Sequence, residues 1–246
     1  MSERTQVWSC GGGVQSAAIA ALIIQGLLPK PDYSIIVDTE REKSTTWTYY
    51  DSVLRPELRK VGVDLERIPK SRYATVDLYS SGDGSVLIPA FTRPAGQLDT
   101  YCSNEWKKRV VMRHCRELGV EACQNWVGIS IDEMRRVRTG PPAWFQVRYP
   151  LIFDRPTSRG GCIDLVQRMG WPPAPRSSCW MCPHHDDSEW LEMIPQDMAK
   201  AVAFEREIQA HDANVYLHRS CQLLDQVDFR NRIESRDGCQ TGFCFT

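Results

Sequence analysis

The chain has 246 residues, 42% of them hydrophobic and 25% charged, with 30 basic side chains against 31 acidic ones and a formal net charge of -1. This balance excludes a generally basic nucleic-acid coat, and no stretch approaches the roughly 20 apolar residues of a membrane span. The N-terminus lacks the charged-then-apolar layout of a signal peptide, so a cytoplasmic location is expected, and ten cysteines then predict thiols, metal ligands or redox groups rather than a disulfide framework.

Gln6-Val7-Trp8 opens a short strand to Ser9 that runs into Cys10-Gly11-Gly12-Gly13-Val14-Gln15 and an apolar helix over Ser16–Leu28. Three successive glycines let the backbone turn with its N–H groups converging, and the helix adds its positive end to the same point. Neither the dinucleotide Gly-x-Gly-x-x-Gly pattern nor the Walker pattern is present. Strand Tyr33–Val37 follows and ends in Asp38-Thr39-Glu40, so two polar strand ends are expected at one crevice of an open parallel sheet.

A helix over Thr45–Val61, kinked or divided at Pro56, and a strand over Asp64–Ile68 continue the alternation that predicts right-handed crossovers and an α/β fold with a parallel sheet flanked by helices. Residues 71–100 carry Ser80-Ser81-Gly82-Asp83-Gly84-Ser85 and Arg93-Pro94-Ala95-Gly96, which read as an inserted loop over the crevice. An amphipathic helix is expected over Asn104–Leu118, with Val111, Cys115 and Leu118 on its apolar face. Trp126–Ile131 reads as a buried strand that brings Asp132 and Glu133 to the ligand edge. From Arg135 to Arg159, six arginines (Arg135, Arg136, Arg138, Arg148, Arg155 and Arg159) accompany one acid, Asp154, and form a candidate anion-facing surface. Beyond Pro172-Pro173 the chain turns to short polar segments with one helix over Gln196–His211. The expected division is a nucleotide-binding domain over 1–170 and a Cys-rich extension over 171–246 packed on it.

The glycine turn and strand end resemble those of the phosphoadenosine phosphosulfate (PAPS) reductase family of the adenine nucleotide alpha hydrolase, or PP-loop, superfamily. The residues carrying the likeness are Gly13-Val14-Gln15-Ser16-Ala17-Ala18 and Val37-Asp38-Thr39. Further blocks are similar at Cys102–Arg109, Gly128-Ile129-Ser130-Ile131-Asp132-Glu133, Tyr149-Pro150-Leu151-Ile152, Cys179-Trp180-Met181-Cys182-Pro183 and Leu217-His218-Arg219-Ser220. The sequence looks closest to a PAPS-reductase-like branch common in phage and bacterial genomes.

The resemblance implies an adenine nucleotide, ATP or PAPS. Backbone N–H groups of Gly11, Gly12 and Gly13 and the Ser9 and Ser16 hydroxyls would hold phosphate oxygens, with Gly128 nearby. Asp38 and Thr39 would lie by the ribose or adenine, and Lys107, Arg109 and Arg135 would neutralise the outer phosphate or developing charge. ATP pyrophosphatases of the superfamily carry an acid where this chain has Gln15, whereas PAPS reductases show glutamine. A neutral amide orients phosphate but does not hold Mg²⁺ as an acid does, so ATP use calls for metal held by Asp38, Asp132 or Glu133.

Cys179-x-x-Cys182 is the strongest metal signal, since two thiolates at this spacing reach one ion or cluster. By resemblance to reductases of the APS-using kind, Cys102 joins them around a [4Fe-4S] cluster. Those relatives have a double cysteine where this chain has Tyr101-Cys102, leaving three protein ligands and one iron open to sulfide, or a fourth ligand from Cys239 or Cys244. A zinc site of Cys179, Cys182 and His184 or His185 is the other reading, and free thiols the third.

The tail cysteines Cys239 and Cys244 sit where PAPS reductases carry a catalytic thiol but lack its Glu-Cys-Gly-Leu-His pattern; two mobile thiols also suit persulfide transfer. Catalysis is thus expected from Cys239, Cys244, Asp132, Glu133 and Arg135. Cys10, Cys115, Cys123, Cys162 and Cys221 are assigned mainly to packing, Cys10 with the reservation that it lies within the glycine loop. His218 and Arg219 have no assigned role. The expected function is ATP adenylation of an acceptor followed by thiolation, the acceptor being a nucleic-acid base or a small molecule and the sulfur coming from a thiol or persulfide donor protein. The alternatives are thiol-dependent reduction of PAPS or APS, and a non-catalytic nucleotide-sensing subunit with a structural metal.

Overall fold

The structure is a computed structural model and describes residues 4–138 and 142–230; the candidate thiols Cys239 and Cys244 lie outside the described residues. In chain order the elements are β1 (Thr5–Cys10), α1 (Val14–Ile24), β2 (Tyr33–Asp38), α2 (Ser44–Tyr49), α3 (Arg55–Lys60), β3 (Leu65–Pro69), β4 (Phe91–Thr92), β5 (Gly96–Gln97), α4 (Arg109–Glu117), β6 (Cys123–Val127), β7 (Phe145–Arg148), α5 (Arg159–Arg168), α6 (Asp187–Leu191), α7 (Pro195–His211) and β8 (Val215–Tyr216). Two compact units result. The described residues up to Ala74 together with Trp106–Ser177 form the first, and Thr75–Glu105 with the described residues from Ser178 onward form the second. The boundary thus falls seven residues beyond the one expected at 170, and segment 75–105 groups with the later part of the chain.

The first unit is α/β. Its five strands run parallel in the order β3-β2-β1-β6-β7. Alternation along the strands separates two cores, as period-2 side chains must. Trp8 and Ile36 face a cluster with α1, the α2–α3 segment and α5, whereas Val7, Ile35 and Val37 face one with Val110, Val111 and Cys115 of α4. Helix α1 is buried at every position from Val14 to Ile23 except Gln15, which is how a helix apolar all round is accommodated.

Pro56 does divide its helix. A π-turn over Tyr50–Leu54 separates α2 from α3, which has Pro56 in its first turn. Proline has no N–H to give and crowds the carbonyl four residues back, and a widened turn relieves both. The expected helix at 104 likewise splits, with a π-turn over Asn104–Lys108 before α4. Leu118 is not on the apolar face: the helix ends at Glu117, Leu118 is exposed, and Gly119 at φ 76° turns the chain away. The buried strand expected at 126–131 begins earlier and stops at Val127, so Asp132 and Glu133 stand on a 3₁₀ turn, Ile131–Arg136, rather than on the strand end.

In the second unit, segment 71–100 is not a plain loop. β4 pairs antiparallel with both β5 and β8, and Tyr79 bridges to Val86. The buried Glu205 of α7 holds the unit's later turns, accepting the Leu217 N–H at 2.9 Å and the Leu224 N–H at 2.6 Å. Burial raises the pKa of its carboxyl, and the two N–H bonds only partly offset this. Glu205→Ala strands two buried donors, so a loss of about 2–4 kcal/mol is expected, measured as a lower urea midpoint at unchanged slope.

Candidate functional site

In the first unit the chain leaves β1 toward β2 and β3 on one side and later returns to β6 and β7 on the other. The order therefore reverses between β1 and β6, and in open α/β sheets ligands bind beyond the carboxyl ends of strands at such a switch point. Ser9 pairs with Val127 there. The Gly11–Gly13 turn continues from the first of these strand ends and Gly128 from the second.

The turn is built by close approach. Gly12 has φ 76°, and a Cβ on it would lie 2.7 Å from Thr46 Cγ2. A Cβ on Gly13 would lie 2.9 Å from Ser177 Oγ and 3.2 Å from the Ser177 nitrogen, and one on Gly128 would meet Gln15 Cβ and Ile19 Cδ1, each at 3.4 Å. Gly13 caps α1 with no side-chain hydrogen bond, so the first N–H groups of the helix rely on other partners. Part of the expected donor set is already engaged. Gly11 N–H donates to Ser16 Oγ at 2.8 Å, and Ser9 Oγ donates to Asn125 Oδ1 at 2.7 Å. Asn125, a buried amide inside β6, was missed by sequence reasoning; a polar residue between Cys123 and Trp126 was its one signal. Cys10 lies under the turn, and burial pushes its thiol up to about 11 despite hydrogen bonds with the Gly12 backbone and Ser16. It is a neutral packing thiol at physiological pH, as expected.

At the end of β2, Asp38 is committed within the protein. Its carboxylate accepts from Arg67 Nε at 3.0 Å and Nη2 at 2.5 Å and from the Glu40 N–H at 2.6 Å. Arg67 also lies over the Trp47 ring at 3.6 Å. Thr39 is fully buried, its Oγ1 accepting from the Arg41 N–H at 3.4 Å. Lys107, expected at the outer phosphate, stands 3.6 Å from the buried Glu42 carboxylate. Arg109 is exposed on α4.

Gln15 and Glu133 meet: the amide donates to Glu133 Oε2 at 3.1 Å, while Arg136 binds Oε1. Glu133 thus orients the one polar side chain of the α1 entry that reaches partway to solvent. Asp132, expected to be catalytic, caps a helix start. It accepts the Arg159 N–H at the start of α5 and the Ser130 hydroxyl, while Ser158 caps the same helix through the Gly161 N–H. Helix starts leave N–H groups without partners, and a carboxylate there is stabilising. Several arginines of the 135–159 stretch have partners within the protein, although Arg135, Arg138, Arg155 and Arg159 are exposed. Arg148 pairs with Asp154 at 2.8 and 2.9 Å, Arg155 donates to the Leu27 carbonyl at 3.1 Å, and Arg138 donates to the Arg135 carbonyl.

The cysteines expected to bind metal all belong to the second unit. Cys179 and Cys182 lie on one turn closed by the Cys182 N–H to Cys179 carbonyl bond at 3.0 Å, and the Cys102 N–H donates to the Leu87 carbonyl. Gln97 Nε2 donates to His184 Nδ1 at 3.1 Å, and His184 Nε2 faces Thr100 Oγ1 at 3.5 Å. His185 Nε2 is 2.8 Å from Ser178 Oγ, and its ring stands edge-on to Trp190. Among the described residues, no group of three or more His, Cys, Asp or Glu side chains is placed to hold a metal ion.

His218 and Arg219 gain a structural role. Both reach the buried Asp187, His218 Nε2 at 3.0 Å and Arg219 Nη2 at 2.6 Å from the same oxygen, while Ser220 Oγ lies 2.7 Å from His218 Nδ1. Cys10, Cys115, Cys123 and Cys162 are buried, as their packing assignment requires, whereas Cys221 is partly exposed at φ 51°.

No protein-family model matches the chain, and no curated protein matches it. Among solved structures it is similar to the U34-tRNA thiolase NcsA from Methanococcus maripaludis with its [4Fe-4S] cluster, at 11% identity and TM-score 0.44, over 95% of this chain and 73% of that one. No helix among the described residues is long and apolar enough to cross a membrane.

Proposed function

We propose that the chain binds an adenine nucleotide at the Gly11–Gly13 turn and uses it in sulfur transfer. ATP forms an adenylate on an oxygen of the acceptor, and sulfur displaces AMP. The observation that carries the nucleotide part is a glycine turn at the β1/β6 switch point, opening a helix whose first N–H groups have no side-chain cap. Backbone donors converging at such a place suit a phosphate chain. The sulfur part rests on Cys179 and Cys182 sharing one turn, together with the resemblance to PAPS reductases. A nucleic-acid base is the acceptor class this reading favours, with a thiol or persulfide protein as donor.

A second reading, reduction of PAPS by thiol attack on its sulfur, is favoured by Gln15. Its amide is held by Glu133 and places a neutral group where ATP pyrophosphatases carry an acid. Two assays separate the readings. Sulfur transfer predicts release of AMP and pyrophosphate from ATP in the presence of acceptor and sulfur donor; reduction predicts sulfite from PAPS with a dithiol. Tight binding with neither product would leave a nucleotide-sensing subunit. Calorimetry showing no uptake of ATP or PAPS would overturn all three.

A further inference from the structure

We propose that Thr46 and Ser177 supply two hydroxyl donors to the phosphate chain of a nucleotide on the Gly11–Gly13 turn; this rests on the nucleotide reading above. The turn is approached by two residues from distant parts of the first unit. Thr46, in the first turn of α2, sets its Cγ2 against Gly12, and Ser177 sets its Oγ against Gly13 and within 3.8 Å of the Cβ position of Gly11. Glycine is required at Gly12 and Gly13 because these side chains occupy the space a Cβ would take.

The state of the Thr46 hydroxyl points to a ligand. Thr46 is fully buried, yet its Oγ1 has no hydrogen-bond partner among the described residues. Native proteins rarely leave a buried hydroxyl unpaired, because it forfeits its bonds to water without replacement. That oxygen shares its Cβ with the methyl lying against Gly12, so it sits beside the same turn. Ser177, whose Oγ lies against Gly13, is partly exposed. The Ser9 hydroxyl, by contrast, gives its proton to Asn125.

The unpaired Thr46 hydroxyl and the neighbouring Ser177 hydroxyl, beside helix N–H groups with no side-chain cap, are donors of the kind a phosphate oxygen accepts. Being neutral, they hold a phosphate without adding charge, and α1 supplies the electrostatic attraction. The chemical class recognised is the polyphosphate or phosphosulfate of the nucleotide and not its base.

The test is titration calorimetry of the full chain with ATP, inorganic pyrophosphate and adenosine, on wild type, Thr46→Val and Ser177→Ala. Each variant is expected to bind ATP and pyrophosphate roughly three- to tenfold more weakly, the range of one hydrogen bond, with adenosine unaffected. If wild type binds ATP and both variants bind it equally well, the turn is the site but these hydroxyls do not touch the ligand. An equal loss for adenosine also overturns the proposal, since the substitutions would then act through folding. If wild type takes up no ATP or pyrophosphate, the nucleotide reading itself fails and this one with it. Should Thr46→Val not fold, Ser177→Ala, at a partly exposed position, decides alone.

Discussion

Gly12→Ala is expected to abolish measurable nucleotide binding and to destabilise the first unit by about 2–4 kcal/mol. Two costs combine. A β-carbon at φ 76° is strained, at about 1 kcal/mol. It would also lie 2.7 Å from Thr46 Cγ2 and 3.2 Å from Ile36 Cδ1, an overlap relieved only by moving a buried side chain, at about 1–3 kcal/mol. Gly62→Ala is the control, since Gly62 also has φ 76° but nothing lies within 4 Å of its Cβ position. It should lose only the conformational part and bind nucleotide normally. Adding Thr46→Ser to Gly12→Ala removes the offending methyl, so the double variant should recover part of the lost stability, a coupling that urea midpoints of the four proteins would measure. Equal midpoints for Gly12→Ala and Gly62→Ala would show that the turn is not packed as described.

The second large effect belongs to Asp187. Burial by itself raises the pKa of its carboxyl, but hydrogen bonds from His218 and then Arg219 outweigh burial and hold it below the usual carboxylate range. Because the folded-state value is depressed, the stability it contributes is complete above the unfolded value of about 3.9 and is lost as pH falls through the lower folded value. Asp187→Asn leaves a guanidinium facing a neutral amide in a buried setting, and a loss of about 3 kcal/mol is expected at neutral pH. The difference between wild type and Asp187→Asn should shrink below about pH 4, as the carboxylate is protonated. Thermal melts at falling pH check it; a difference that persisted unchanged to pH 2 would show that the charge of Asp187 is not what holds His218 and Arg219.

The alternation of elements in the first unit was legible because each strand is a compact apolar run and α1 is apolar throughout. The glycine turn was legible because Gly11, Gly12 and Gly13 have few other reasons to stand between a strand and a helix. Its walls were not. Thr46 and Ser177 are ordinary polar residues, and only the fold shows that one lies against Gly12 and the other against Gly13. Charge patterning left the internal partners unread. Asp38, Lys107 and Asp132 each have a partner in the protein far away in sequence, and such partners leave no local signal. β7 and α5 were missed for a related reason: Arg148 ends the strand and Arg159 begins the helix, so the arginine pattern drew attention away from Ser158 as a cap.

The pairing of Phe91–Thr92 with Val215–Tyr216 bears on biosynthesis. About 120 residues separate the two partners, so while the chain is still emerging from the ribosome the β4–β5 hairpin must wait with one edge open. An isolated two-stranded hairpin is marginal in water, and an open edge invites pairing with neighbouring chains. Val215–Tyr216 is therefore the segment that covers this edge, and a chain lacking it would present β4 unpaired on that side.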